Sequence, residues 1–196
     1  IKMVIIMSNV QTNLISRRSI YNFLKKEIDF EILERAFDAA RYAPNHKQTN
    51  PWKFYIIGDK TREKLIPKVK ELSIKKMSDL DSSSDEIVIQ RAISKILEPP
   101  VLIAVTSKLT PGEPFREEED YAATVCSLHN LVLSLWDQGI GTQWSTGTIT
   151  RADETYKALD IPSDSERIIG FIKAGYPEKI PNKKKMSLIE IRSYLP

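Results

Sequence analysis

The stretch from Glu117 to Gln138 limits the possible folds of this chain more than any other. Its first turn is acidic, Glu117 to Asp120, and Gly139 stands where a helix would stop, so the segment predicts one long helix. Along it Tyr121, Ala122, Val125, Cys126, Leu128, Leu131, Val132, Leu133, Leu135 and Trp136 occupy more than one face. A helix apolar nearly all round must be covered nearly all round. In a chain of 196 residues that requires a central helix, or one whose outer face meets a second subunit. His129 is then expected to be a hydrogen-bonded core or interface histidine rather than a catalytic base. Cys126, the sole cysteine, is expected to be a small buried hydrophobe rather than a reactive thiol.

The length suits a single domain over 1–196 with a core large enough to need no staples. With 41% hydrophobic and 28% charged residues the composition is that of an ordinary soluble globular protein. A net charge of +3, from 29 basic against 26 acidic residues, is too slight to indicate nucleic acid or membrane as a partner. One cysteine permits no internal disulfide, and a cytoplasmic location is expected. The opening IKMVIIM is far shorter than a membrane span and lacks a cleavage pattern.

Around the long helix the chain alternates helices and strands. Val10, Leu14 and Ile15 have helical spacing and lead into Arg17-Arg18-Ser19, which reads either as a basic helix cap or as an anion clamp. Asp29 is placed to cap a helix carrying Ile32, Leu33, Ala36, Phe37 and Ala40 on one face. Pro44 and Pro51 then pin the polar loop Ala43–Phe54, APNHKQTNPWKF, at both ends. Trp52–Ile57 reads as a strand. A charged helix is expected from Thr61 to Met77, interrupted near Pro67. The segment Asp79–Asp85 reads as a linker, and a further amphipathic helix follows over Glu86–Leu97. Val101–Val105, bounded by prolines, reads as a strand buried on both faces. The loop from Lys108 to Glu118, with Phe115, suits either a lid or a plain surface excursion.

Beyond the long helix, GIGTQWSTG reads as a short strand ending in small polar residues, with Thr150 and Asp153 resembling a capping box for a short helix. Arg167–Gly175 reads as the last strand, and the tail carries Lys183-Lys184-Lys185 followed by an apolar pattern expected to dock on something. No Gly-rich phosphate loop, paired metal-ligand spacing or nucleophile elbow is present in the sequence. Pattern alone leaves the fold at α/β or α+β.

Taken together, Arg17-Arg18-Ser19, APNHKQTNPWKF, the long helix running into GIGTQWSTG, the strand IIGFIKAGYPEK and the basic tail resemble the flavin-dependent nitroreductase family. The likeness covers nearly the whole chain and is greatest to short members with a PxHK loop followed by PW. It implies an α+β fold with a mostly antiparallel sheet flanked by helices, in a homodimer whose subunits exchange a C-terminal strand. Residues 177–196 would be the extension that docks on the partner, and FMN would lie at the interface. The resemblance also implies a ping-pong oxidoreductase in which FMN passes hydride from NADH or NADPH to a small-molecule acceptor such as a nitroaromatic or quinone. Other flavin chemistry on this fold (dehydrogenation, dehalogenation or flavin breakdown) and a non-catalytic flavin-binding role are the alternatives.

The resemblance gives Arg17, Arg18 and Ser19 the FMN phosphate and ribityl chain, and puts Tyr42, His46, Lys47, Thr49 and Asn50 in one wall of the flavin pocket. Trp144, Ser145 and Thr146 would contact the flavin from the other side, and Lys183, Lys184 or Lys185 would reach the phosphate. No side chain need act as a nucleophile and no metal is required, because the cofactor carries the chemistry. Lys47 is the candidate for tuning the flavin. Two positions depart from relatives: Tyr21 stands where many larger members have lysine, and Ser145 where close relatives often have arginine.

Overall fold

The computed structural model describes residues 9–78 and 86–196. The expectations for IKMVIIM and for the Asp79–Asp85 linker fall outside those residues.

Four strands form one antiparallel sheet in the order β1-β2-β4-β3: β1 Trp52–Ile56, β2 Val101–Lys108, β3 Gly141–Ser145 and β4 Glu166–Gly175. Strand β2 runs further than its apolar core because Thr106 and Ser107 keep pairing and stay buried. Its alternation divides the core, with Ile103 and Val105 facing one side and Leu102 and Ala104 the other. On the first side lie α2 (Phe30–Ala40) and α6 (Pro114–Asp137), which pack Ala36, Ala40, Leu128, Leu131 and Leu135 against Ile169 and Ile172. On the second side α4 (Ile66–Ser78) and α5 (Glu86–Leu97) supply Val69, Ile89, Ile93 and Ile96 against Phe171. Two short helices, α3 (Asp59–Glu63) and α7 (Asp153–Leu159), complete that side, and α1 (Asn9–Ser16) lies outside α6. The expected α+β fold, with helices flanking an antiparallel sheet, is present.

The charged segment is interrupted near Pro67 as expected, into α3 and α4; Pro67 is the second residue of α4, where its missing N–H costs nothing. Other local expectations need correction. Asp29 caps α2 through its backbone carbonyl, which accepts from Ile32 at 3.0 Å, and not through its carboxylate. No capping box joins Thr150 to Asp153: Thr150 is buried in a 3-10 turn and its hydroxyl donates to the Gly147 carbonyl. A capping box does form in the tail, between Ser187 and Glu190. The loop before α6 is only residues 109–113, because Pro114 begins the helix early.

Helix α6 ends as expected. Gly139 has φ 78°, and the N–H groups of Gly139 and Ile140 return to the carbonyls of Trp136 and Leu135. The left-handed conformation at the stop is the reason for glycine there. Within one chain, however, α6 is not buried all round. Ala122, Cys126 and His129, spaced four and three residues apart, share an exposed face, so the thiol is exposed and the histidine has no hydrogen bond among the described residues. The protein beneath His129 desolvates it and Arg17 adds a positive field, and both causes hold the imidazole below its ordinary pKa.

Candidate functional site

The residues expected to bind a ligand form two groups. The first gathers at the edge strand β3. Helix α1 is fixed to the C-terminal third of α6 where Asn13 Nδ2 donates to the Leu133 carbonyl (2.9 Å) and Trp136 Nε1 to Ser16 Oγ (2.9 Å). The chain leaving α1 then runs alongside β3, with Ser19 bridged to Thr142 and the Ile20 N–H donating to the Thr142 carbonyl at 2.9 Å. Gly141 is required for this approach: a Cβ there would run into Ile20 and Pro177.

The two arginines differ. Arg18 Nη1 donates to the carbonyls of Ile15, Ser16 and Arg17 at 2.7, 3.1 and 2.9 Å, so it caps the end of α1. Arg17 is half-buried and has no carboxylate partner among the described residues, so its guanidinium is free to meet an anion. At the far end of β3, Trp144 lays its indole across Gly170 and donates to the Ile169 carbonyl (3.3 Å), while Thr146 is exposed and Ser145 half-exposed. The tail returns here too. The Glu178 N–H donates to the Asn22 carbonyl, and Lys183 Nζ lies 5.8 Å from the centre of the Tyr21 ring, with Lys184 and Lys185 exposed beside it.

The second group is the loop after α2. Tyr42 is exposed, with the Arg41 guanidinium 5.0 Å from its ring centre. His46, Lys47 and Gln48 form a 3-10 turn in which Lys47 and Gln48 have φ 54° and 52°, and Asn50 follows at 45°. Three side-chain bonds hold this unfavourable backbone. Asn45 Oδ1 accepts from the Asn50 N–H (3.0 Å), Asn50 Nδ2 donates to the Gln48 carbonyl (3.0 Å), and Thr49 Oγ1 donates to Asp120 Oδ1 (2.6 Å). Asp120 is only 3% exposed and its other oxygen accepts no hydrogen bond, its one charged contact being Arg116 Nε at 4.0 Å. Sequence reasoning treated Asp120 as one of four acids at a helix start; only the fold reveals that it anchors the loop.

One chain does not unite the two groups. The loop feeds β1, one edge of the sheet, while Ser19 and Trp144 lie at β3, the opposite edge, three strand spacings or about 14 Å away. Along α6 the anchor points Asp120 and Leu133 are thirteen residues apart, about 20 Å of helix. Sequence reasoning also missed Lys173 on β4. It is the one charge in the apolar strand IIGFIKAG, and that interruption was its signal.

The helix–sheet–helix layering, with an arginine free of carboxylate partners at one sheet edge and a polar loop at the opposite edge, describes an α+β domain whose expected ligand residues fall in two separate groups. Comparison with known proteins narrows this class. The model described as "Nitroreductase family" matches residues 14–176, and the chain belongs to that family and is an oxidoreductase of its class. It is 31% identical over 178 residues to "Putative NAD(P)H nitroreductase YfhC" of Bacillus subtilis, covering 90% of this chain and 89% of that one. Among solved structures it is similar to a nitroreductase-like family protein from Bacillus cereus, with 26% identity, a TM-score of 0.78 and 96% of each chain covered. A protein described as a "putative nitroreductase in complex with fmn", from Desulfovibrio desulfuricans, shares the fold, with a TM-score of 0.74 at 19% identity over 96% of this chain and 97% of that one.

Proposed function

We propose that this protein is an FMN-dependent oxidoreductase that uses NADH or NADPH to reduce nitroaromatics, quinones or related acceptors, and that it works as a homodimer with the cofactor between subunits. The observation that carries the reading is the convergence of Arg17, Ser19, Ser145, Thr146 and Lys183 on β3, in a member of the nitroreductase family. The donor set suits a phosphate-bearing flavin. Arg17 offers a guanidinium without a carboxylate partner for a dianion, and Lys183, beside Tyr21, begins a run of three tail cations that adds to the positive charge. Arg18 contributes through its charge and by fixing α1.

When bound, FMN supplies the hydride transfer between nicotinamide and acceptor. The chain's own residues bind and orient it, and Lys47, held at φ 54°, would place a cation where negative charge accumulates on a reduced ring. A second copy explains what one chain leaves apart, because a partner's 42–50 loop can face this chain's β3 edge across α6. Two further features fit a covering subunit. Ala122, Cys126 and His129 are exposed along α6, and the tail exposes Met186, Leu188, Ile189, Ile191, Tyr194 and Leu195 by 64–90%.

The purified protein should be yellow or become so with added FMN, and NADH or NADPH should bleach it without oxygen. Sedimentation should give a dimer. A protein that fails to bind FMN sinks the reading, and a flavin that neither nicotinamide reduces leaves only a flavin-binding protein.

A further inference from the structure

Strand β4 is covered on both faces, yet at position 173 it carries a lysine only 5% exposed. Its ammonium donates to Gln143 Oε1 on the neighbouring strand at 3.2 Å, and no carboxylate lies within ion-pairing distance among the described residues. Every charge near it bears on this imbalance. Lys95 and Arg91 on α5 are cationic, and Lys95 depresses the ammonium further; Glu98, just past the end of α5, and Glu178 in the tail line the same cavity without pairing to it. Lys75 and Lys76 on α4 line the adjoining cavity. An apolar residue would satisfy this position against Phe171, so an unpaired buried cation is a stability cost that burial alone does not explain.

The ammonium sits between two cavities of about 670 and 480 Å3, both lined by Lys95, Ser145 and Lys173. The larger also presents the Tyr21 ring, a flat apolar surface suited to an aromatic ring. Ser145 belongs both to this space and to the β3 end assigned to the flavin.

We propose that Lys173, supported by Lys95 and Arg91, is a carboxylate-binding subsite, and that the acceptor reduced here is a small aromatic acid whose carboxylate it holds. The choice of acceptor rests on the proposed reductase activity; the subsite does not. Arg17 and the tail lysines provide for the cofactor phosphate, and the charge beneath Ser145 is left for a different anion. An ammonium with one neutral partner has two donors to offer, and a carboxylate oxygen would satisfy them while cancelling the charge.

The test uses the FMN-loaded protein with 4-nitrobenzoate and its methyl ester, first by calorimetry without nicotinamide and then in turnover. Wild-type protein should bind the acid at least tenfold more tightly than the ester at pH 7. Lys173→Gln should erase that preference, and Lys95→Met, on an exposed surface, should reduce it several-fold without risk to the core. The subsite is overturned by equal binding of acid and ester in wild type, by a preference that survives Lys173→Gln, or by loss of FMN from Lys173→Gln, which would assign the anion to the cofactor. If Lys173→Gln does not fold, an undiminished preference in Lys95→Met overturns it. Preferential binding of the acid without its reduction, in protein whose flavin NADH or NADPH does reduce, would uphold the subsite and overturn the choice of acceptor; a flavin that neither nicotinamide reduces would defeat the reductase reading instead.

Discussion

Thr49→Val removes one hydroxyl and nearly nothing else, and it tests how the loop after α2 is held. Lys47, Gln48 and Asn50 have left-handed backbones, each costing an L residue roughly 1 kcal/mol, so the loop stands about 3 kcal/mol above a relaxed conformation before its bonds are counted. The 2.6 Å bond from Thr49 to the Asp120 carboxylate is charge-assisted and contributes about 1.5–3 kcal/mol. The two magnitudes are comparable. Valine removes the bond and leaves a buried carboxylate without any hydrogen bond to its oxygens, with only the 4.0 Å contact to Arg116 remaining. Unfolding in urea should show a loss of about 2 kcal/mol. The loop should also spend most of its time outside the binding geometry, and the apparent FMN dissociation constant should rise about tenfold. Hydrogen exchange of amides 46–50 in FMN-free protein should accelerate, and Thr49→Ser should restore both readouts. Unchanged exchange together with FMN affinity within twofold of wild type would refute the argument that this bond organises the loop.

Arg62→Met should destabilise the protein by about 3 kcal/mol, because the buried guanidinium donates to the carbonyls of Ile57, Leu97, Pro99 and Pro100 and methionine orphans them; chemical denaturation reads this directly. Gly141→Ala should cost about 1–3 kcal/mol by forcing Ile20 away from β3, and should weaken FMN retention as Ser19 moves with it. Burial, and then Lys95, push Lys173 down from 10.5 to about 8. Below pH 8 it is charged in both folded and unfolded chains and the full penalty applies. From pH 8 to 10.5 the unfolded chain holds the extra proton, so stability rises with pH by about 3 kcal/mol in all. The difference in unfolding free energy between wild type and Lys173→Met should therefore shrink across that window, and a flat difference would contradict it.

The amino-acid sequence by itself determined the element order, the long helix with its glycine stop, the buried strand before α6 and the family, because these depend on local periodicity, turn chemistry and motif order. It marked the parts of the proposed site for the same reason: Arg17-Arg18-Ser19, the 42–50 loop, Trp144–Thr146 and the lysine tail are each contiguous. Tertiary structure decided what those parts do together. Which of two adjacent arginines is free depends on whether the side chain folds back onto the carbonyls of α1, and Arg18 does so. Asp120 looks like any first-turn acid until α6 is laid beside the loop, and Lys173 looks like a surface lysine until α5 closes over β4. Cys126 and His129 lie on the open face of α6 because α2 and the sheet cover its inner side and α1 reaches only its C-terminal third. The division of the proposed site between opposite edges of the sheet follows from the strand order β1-β2-β4-β3, which long-range pairing fixes and no local signal encodes.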